Sequence, residues 1–341
     1  MASLVISSET ISVRLISKHL EVIRWVEWGK KAESRMRVPL VDVDRVVVVG
    51  YPSISLPVLY RLLRNGVPCF FLSSKGHWVG SLTPDNNKNA GRRLRQYQVA
   101  NDSEFALRVA RKLIWAKLRN SRRVLQRLSA NRDESHLPEQ ERVDRELMEL
   151  AGRAAEASSL EELRGYEGLA AARYFNRLGS FFPENVPFGG RSRRPPRDAA
   201  NALLSWTYSV VLGEVDGCVR GHGLDACLGF LHGIQHGTPS LSLDLLEPLR
   251  GPVCDLLVLN LLNHRVLTEA NFRFDSASGG FYLKEESRKT FFSSYEATMT
   301  RQFIPAKGQP HTDFRRIIES SVTGLLRAME GDELPEFFLM P

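Results

Sequence analysis

Cysteine is scarce in this chain, and the few present are scattered. Cys69, Cys218, Cys227 and Cys254 are the only four in 341 residues, and no two are close enough to form a CxxC pair. A structural zinc ribbon and a disulfide framework are therefore not expected, and a reducing cytoplasm is the default setting. Long apolar runs are also missing. No stretch approaches the ~18 consecutive apolar residues of a membrane span, so no membrane association is expected. Residues 1–10 lack the basic start and apolar stretch of a secretory signal. No internal repeat is visible. With 43% hydrophobic and 25% charged residues the composition is that of a globular protein, and the length suggests two domains of unequal size.

Acidic residues are nearly absent from one long segment. Residues 86–127 carry twelve Lys/Arg against only Asp102 and Glu104, a local excess of ten positive charges where the whole chain has +7. Lys88, Arg108, Arg111, Lys117, Arg119, Arg122 and Arg123 belong to this run. A second cluster, Arg191, Arg193, Arg194 and Arg197, lies in a Pro/Gly-rich stretch. Acids collect elsewhere, as at Glu139, Glu141, Asp144, Glu146 and Glu149. A solvated basic surface would explain the net charge alone; its segregation points instead to a phosphate-bearing partner, DNA or RNA.

The first eighty residues alternate in a β manner. Residues 11–16, 20–26, 45–50, 67–72 and 77–82 read as strands, with one helix after Ser55 that ends at Gly66. The run Pro84-Asp-Asn-Asn-Lys-Asn-Ala-Gly91 reads as a linker. Beyond it the period becomes helical, beginning with Phe105, Val109, Leu113 and Ala116 and continuing through 147–150, 160–178, 199–212, 244–267 and 314–329. The fold class expected is α+β. A small β-rich N-terminal domain (1–84) leads through a linker (85–91) into a larger, all-helical C-terminal domain (92–341).

Three places could carry chemistry. Glu167 shares a helix face with Leu163, Ala170 and Tyr174, where a carboxylate is costly unless paired or metal-bound. Gly165 and Gly168 beside it would let other backbone approach. A salt bridge to one of the arginines is the plain alternative. His232 follows an apolar run. His236 lies four residues on, but Gly233, Gly237 and Pro239 make a helical zinc pair improbable, and a hydrogen-bonded structural histidine is the plain alternative. Asp244 and Glu247, three apart, would share one helix face, although Pro248 forbids a regular helix deep through it. Two acids near a histidine, with a third acid on another helix, suit magnesium or manganese.

These segments, taken together, resemble a known family: the CRISPR-associated integrase, first in the numbered Cas series. Tyr166-Glu-Gly-Leu-Ala-Ala-Ala-Arg-Tyr-Phe175 resembles its glutamate helix. Arg193-Arg-Pro-Pro-Arg-Asp-Ala-Ala-Asn-Ala-Leu-Leu-Ser-Trp-Thr-Tyr208 resembles its connecting loop and following helix. Leu228-Gly-Phe-Leu-His232 and Ser240-Leu-Ser-Leu-Asp-Leu-Leu-Glu-Pro-Leu-Arg250 resemble its histidine and acidic motifs. Four motifs occur in register, and the close match covers residues 163–262.

The resemblance implies metal ligands at Glu167, His232 and Glu247, with Asp244 an acidic neighbour in the catalytic site and Mg2+ or Mn2+ as the cofactor. Some relatives carry aspartate where Glu247 stands. It implies a homodimer, with a small companion adaptation protein bridging two such dimers. The implied reaction is transesterification: the 3′-hydroxyl of a short DNA fragment attacks a phosphodiester at the edge of a CRISPR repeat, and water in its place gives endonuclease cleavage. Arg108, Arg111, Lys117, Arg119, Arg122, Arg123, Arg193, Arg194 and Arg197 would hold double-stranded DNA by its phosphates. Two other readings stay open: a non-catalytic DNA-binding scaffold, and a branched-DNA repair nuclease or mobile-element integrase.

Overall fold

The structure, a computed structural model, describes residues 2–27, 29–84, 90–331 and 333–341. Within the expected linker, residues 85–89, Lys88 among them, lie outside the described residues; Ala90 is already helical.

Two four-stranded sheets account for the first eighty residues. One is ordered β1 (Ala2–Ile6), β5 (Val43–Val49), β7 (Cys69–Leu72) and β8 (Trp78–Leu82). The first three run parallel, and β8 is antiparallel to β7. The other is ordered β4 (Lys31–Pro39), β3 (His19–Glu27), β2 (Ile11–Ile16) and β6 (Ser53–Ile54). Helix α1 (Leu56–Arg64) follows β6 and begins after Ser55 as expected, with Pro57 in its first turn. Strands β1, β4 and the two-residue β6 escape the sequence pattern. β4 is exposed at six of its nine positions and carries charge at Lys31, Glu33, Arg35 and Arg37, so it shows no buried apolar alternation.

The valine run of β5 is apolar without interruption because both of its faces are covered. Val46 and Val48 join the core of the β-rich part with Val58 and Leu62 of α1. Val47 and Val49 turn the other way, with Phe70 and Leu72, into the core of the helical part. Contact there is close. A Cβ on Gly217 of α6 (Ala199–Gly221) would fall 2.4 Å from the Phe70 ring, so only glycine lets this helix lie against the sheet. Glu214, on the same helix, pairs with Arg45 of β5 and with Arg315 of α10 (Phe314–Glu330).

The helical part opens with α2 (Ala90–Ala100) and α3 (Ser103–Asn131), the long amphipathic helix expected from its period. Asp102 caps α3, accepting the N–H groups of Glu104 and Phe105 at 3.0 and 3.1 Å. Helices α4 (Pro138–Glu156) and α5 (Leu160–Gly179) pack against α3, with Ser159 capping α5.

Two expectations fail in the C-terminal half. The helix read over 244–267 is broken into α7 (Ser240–Leu246), a 3-10 turn (Glu247–Leu249), a π-helical turn (Arg250–Asp255) and α8 (Leu256–Asn263). Pro248 and Pro252 supply no N–H, so the ladder changes its spacing around them. The C-terminal part is also not all-helical. A hairpin of β9 (Phe272–Asp275) and β10 (Gly280–Leu283) precedes α9 (Glu285–Thr300). Its turn closes through Gly279 at φ +68°, where a side chain would be strained. Among the described residues no helix is long and apolar enough to cross a membrane.

Candidate active site

Three separate elements converge where the 3-10 turn begins. Lys117 on α3 lies between two carboxylates: its Nζ is 2.5 Å from Glu167 Oε1 on α5 and 2.7 Å from Glu247 Oε2. Glu167 is half-buried, and Glu247 is only 3% exposed. The expected salt-bridge alternative for Glu167 is thus realised with a lysine, and the same lysine serves the second acid. A Cβ on Gly165 or Gly168 would meet nothing within 4 Å, so the close backbone approach expected beside Glu167 does not occur.

Glu247 divides its two oxygens. Oε1 takes the Arg250 guanidinium at 2.9 Å. Oε2 is buried and receives no well-directed hydrogen bond, so its contact with Lys117 is one of charge. Burial pushes the Glu247 pKa up, but Arg250 and Lys117 outweigh it and hold the carboxyl down at about 2. Glu247 is therefore a buried, ionised acid with one oxygen fixed and the other short of directed donors.

Asp244 does something different, although only three residues away. Its carboxylate is fully buried and faces the loop that carries His232. Oδ2 accepts the N–H groups of Phe230 and Leu231 at 2.6 and 2.9 Å. Oδ1 accepts the His232 N–H at 3.0 Å and meets His232 Nδ1 at 2.6 Å. A Cβ on Gly229 would fall 2.6 Å from Oδ2, so the loop needs glycine there to approach the acid. Because an ionised carboxylate only accepts, Nδ1 carries the proton and Nε2 holds the lone pair in the neutral ring. Burial lowers the His232 pKa. The bond and charge of Asp244, joined by Glu247 and Glu167, outweigh that and leave it above 6.5. Arg164 of α5 donates to the Leu231 carbonyl at 2.5 Å, tying the histidine loop to the helix that bears Glu167. His236 lies exposed in irregular backbone, which removes the zinc pair with His232.

Behind this turn lie groups with no pattern in the sequence to mark them. Asn120 Nδ2 donates to the carbonyls of Pro248 and Phe338 at 2.7 and 2.8 Å, and its Oδ1 accepts from Met340 N at 2.8 Å. One buried amide therefore holds both the Glu247 turn and the C-terminal tail. Asp255 accepts from Tyr208 and Tyr174 at 2.6 and 2.7 Å, and the Arg250 guanidinium lies over the Tyr208 ring.

The basic residues separate into two groups. Arg108, Arg123, Arg193, Arg194 and Arg197 are exposed. Arg193 and Arg194 line a cavity of about 330 Å³ together with Lys75, Arg191 and Arg250, so it opens beside the Glu247 turn. Arg111 instead donates to the Ala157 carbonyl at 2.6 Å, Arg122 pairs with Asp144 at 2.7 Å, and Arg119 lies over the Trp115 ring. Lys117 was expected among the phosphate-holding residues; as it stands, its ammonium is engaged by the two acids.

Among the described residues no three histidine, cysteine, aspartate or glutamate side chains are grouped closely enough to hold a metal ion as arranged. The donors nevertheless fit one. Two carboxylates already converge on a single cationic centre, one through a buried oxygen lacking directed donors, and both act on the nearby His232 ring, whose Nε2 offers a lone pair when the ring is neutral.

A sheet-built first part thus packs against a helical body that gathers two acids, a lysine and a histidine. Residues 4–297 match the family described as CRISPR associated protein Cas1. The chain belongs to the Cas1 family. It is 32% identical over 305 residues to the CRISPR-associated endonuclease Cas1 3 of Thermus thermophilus, covering 89% of this chain and 88% of that one. It is also 32% identical over 319 residues to the CRISPR-associated endonuclease Cas1 1 of Thermodesulfovibrio yellowstonii, covering 94% and 98%. In fold it is similar to a casposase bound to integration product, with a TM-score of 0.86 at 21% identity over 98% of this chain and 93% of that one. A Cas1 protein from Thermotoga maritima gives 0.80 at 24% identity over 98% of each.

Proposed function

We propose that this chain is a metal-dependent DNA integrase and endonuclease. It joins the 3′-hydroxyl of short DNA fragments to a CRISPR repeat by transesterification, the step that acquires spacers for antiviral defence. The observation that carries this reading is the convergence of Glu167 Oε1 and Glu247 Oε2 on one cationic position in a Cas1-family chain.

Glu167, Glu247 and His232 Nε2 would hold Mg2+ or Mn2+. Bound there, such a cation neutralises the phosphate and stabilises charge on the attacking or leaving oxygen. The chain's own groups do the rest. Arg250 fixes one oxygen of Glu247 and leaves the other to the site. Asp244 fixes the tautomer and aim of His232 and is a positioning residue, since N–H donors from residues 230–232 occupy both its oxygens. Exposed Arg193, Arg194 and Arg197, with Arg108 and Arg123, take DNA phosphates. In the reaction a new phosphorus–oxygen bond forms to the incoming 3′ oxygen as the bond to the repeat strand breaks. The attacking hydroxyl gives up its proton and the departing oxygen gains one, so no protein nucleophile is needed. Water as the attacker gives cleavage.

The β-rich residues 1–84 serve as the pairing part of a homodimer, residues 92–341 as the catalytic part, and a small companion adaptation protein bridges two dimers in the cytoplasm. The test is a joining assay with a short duplex bearing free 3′-hydroxyls and a plasmid carrying the repeat. Glu167→Ala, His232→Ala and Glu247→Ala should each abolish joining while duplex affinity stays within about twofold, and capping the 3′-hydroxyls should abolish joining by the wild type. Joining that survives capping, or wild-type turnover by any of the three variants, contradicts the reading.

A further inference from the structure

We infer that Lys117 is the site's resident counter-ion: its ammonium holds Glu167 and Glu247 together until a divalent cation displaces it. This rests on the metal reading above and adds an exchange step to it.

The argument begins with charge. Glu247 is 3% exposed, and Glu167 faces the same point. Two ionised carboxylates brought this close would repel each other and lose hydration, so the arrangement needs a cation to persist. Arg250 binds Glu247 through Oε1, not through the Oε2 that meets the cation shared with Glu167. Lys117 fills it, touching Glu167 Oε1 and Glu247 Oε2 at 2.5 and 2.7 Å.

Geometry then makes lysine and metal alternatives. A hard divalent cation draws carboxylate oxygens to about 2.1 Å, so one held by these two oxygens would stand where the ammonium now sits. With Arg250 in place, Lys117 already brings the two acids to neutrality, and keeping it beside an added divalent cation would leave an excess of positive charge. The residue type permits the exchange. An ammonium on a flexible four-carbon stem is a mobile point charge, unlike the planar guanidinium of Arg250 stacked on Tyr208. The Lys117 side chain is 15% exposed, so a path toward solvent exists. The lysine keeps the metal-free site assembled, at the expense of metal affinity.

The test uses the full chain without DNA and follows Mn2+ binding by calorimetry and by the EPR signal of free Mn2+. Lys117→Met keeps the apolar stem and removes the charge, and it should bind Mn2+ at least tenfold more tightly than wild type. Mn2+ should also raise its melting temperature by more. Lys117→Gln provides a second neutral variant and should behave likewise. Wild-type protein needs no substitution for the third readout: Mg2+ should speed labelling of Lys117 by an amine-reactive reagent, followed by peptide mass spectrometry. Neutral variants that bind Mn2+ no more tightly than wild type, or Lys117 labelling that Mg2+ leaves unchanged or slows, overturn the inference while leaving the metal site standing. Absence of Mn2+ binding in wild type and variants alike overturns the metal site itself, and the exchange with it.

Discussion

His232 Nδ1 lies 2.6 Å from Asp244 Oδ1, and the same oxygen also accepts the His232 backbone N–H at 3.0 Å. The acid thus grips the histidine by ring and backbone together, with Phe230 and Leu231 held by its other oxygen. Asp244→Asn would turn an NH2 group toward donors that need an acceptor. Loss of such support commonly costs about 10–100-fold in metal affinity or activity. Joining by Asp244→Asn should therefore fall by that order and recover in part with added Mn2+, whereas Glu247→Gln should stay inactive at every metal concentration. A rescued Glu247→Gln beside a dead Asp244→Asn would reverse the assignment.

Asn120→Ala should loosen the Glu247 turn and the C-terminal tail at once. It removes a partner from Pro248 O, Phe338 O and Met340 N. Buried groups left without partners cost about 1–3 kcal/mol each, so a loss of at least about 3 kcal/mol is expected in denaturant unfolding. Removing residues 335–341 should lower joining in the same direction while leaving duplex affinity nearly unchanged.

The basic residues give a prediction that separates surface from scaffold. Reversing Arg193, Arg194 and Arg197, all exposed, should weaken DNA binding and flatten its salt dependence, by roughly 0.9 in log–log slope for each phosphate no longer neutralised. Reversing Arg122, bonded to Asp144, should lower the melting temperature and leave the slope nearly as it was. Titrations across a salt series with thermal melts decide both.

Asp255 sets a pH dependence of stability. Burial pushes its carboxyl up to about 6, against the hydrogen bonds from Tyr208 and Tyr174 and the charges of Arg191 and Arg250. Its folded pKa exceeds the unfolded value of 3.8, so between pH 4 and 6 the folded state binds more protons. Stability is then fully present at the acid end and falls as pH rises, by about 3 kcal/mol for this group. Asp255→Asn removes the titration. It should gain on the wild type steadily from pH 4 to pH 6.5 in denaturant unfolding, and a difference that does not vary with pH would contradict this.

Much of the architecture is readable in the sequence because it rests on local periods. The two-sided valine run of β5 and the amphipathic α3 both announce themselves in composition. The charged, exposed β4 carries no such period. The strands of the β9–β10 hairpin are too short to establish one, although Ser276, Ser278, Gly279 and Gly280 mark a turn between aromatic residues. In the site, Glu167, His232, Asp244 and Glu247 are legible as residue types and as family motifs. Their division of labour is not. A three-residue spacing predicts that Asp244 and Glu247 share a face, but it does not say that Asp244 bonds the histidine loop while Glu247 meets Lys117 of α3 and Arg250. Lys117 reads like its basic neighbours because nothing local distinguishes it. Its partners lie 50 and 130 residues further along the chain, and only tertiary packing brings them together.

The most direct test of a metal centre built from Glu167, His232 and Glu247 is a crystal structure grown with Mn2+, with the ion located by its anomalous scattering. One peak is expected within bonding reach of Glu167, Glu247 and His232 Nε2, with Lys117 withdrawn from both acids. A peak bound by other residues, or saturating Mn2+ with Lys117 still bridging Glu167 and Glu247, would contradict it.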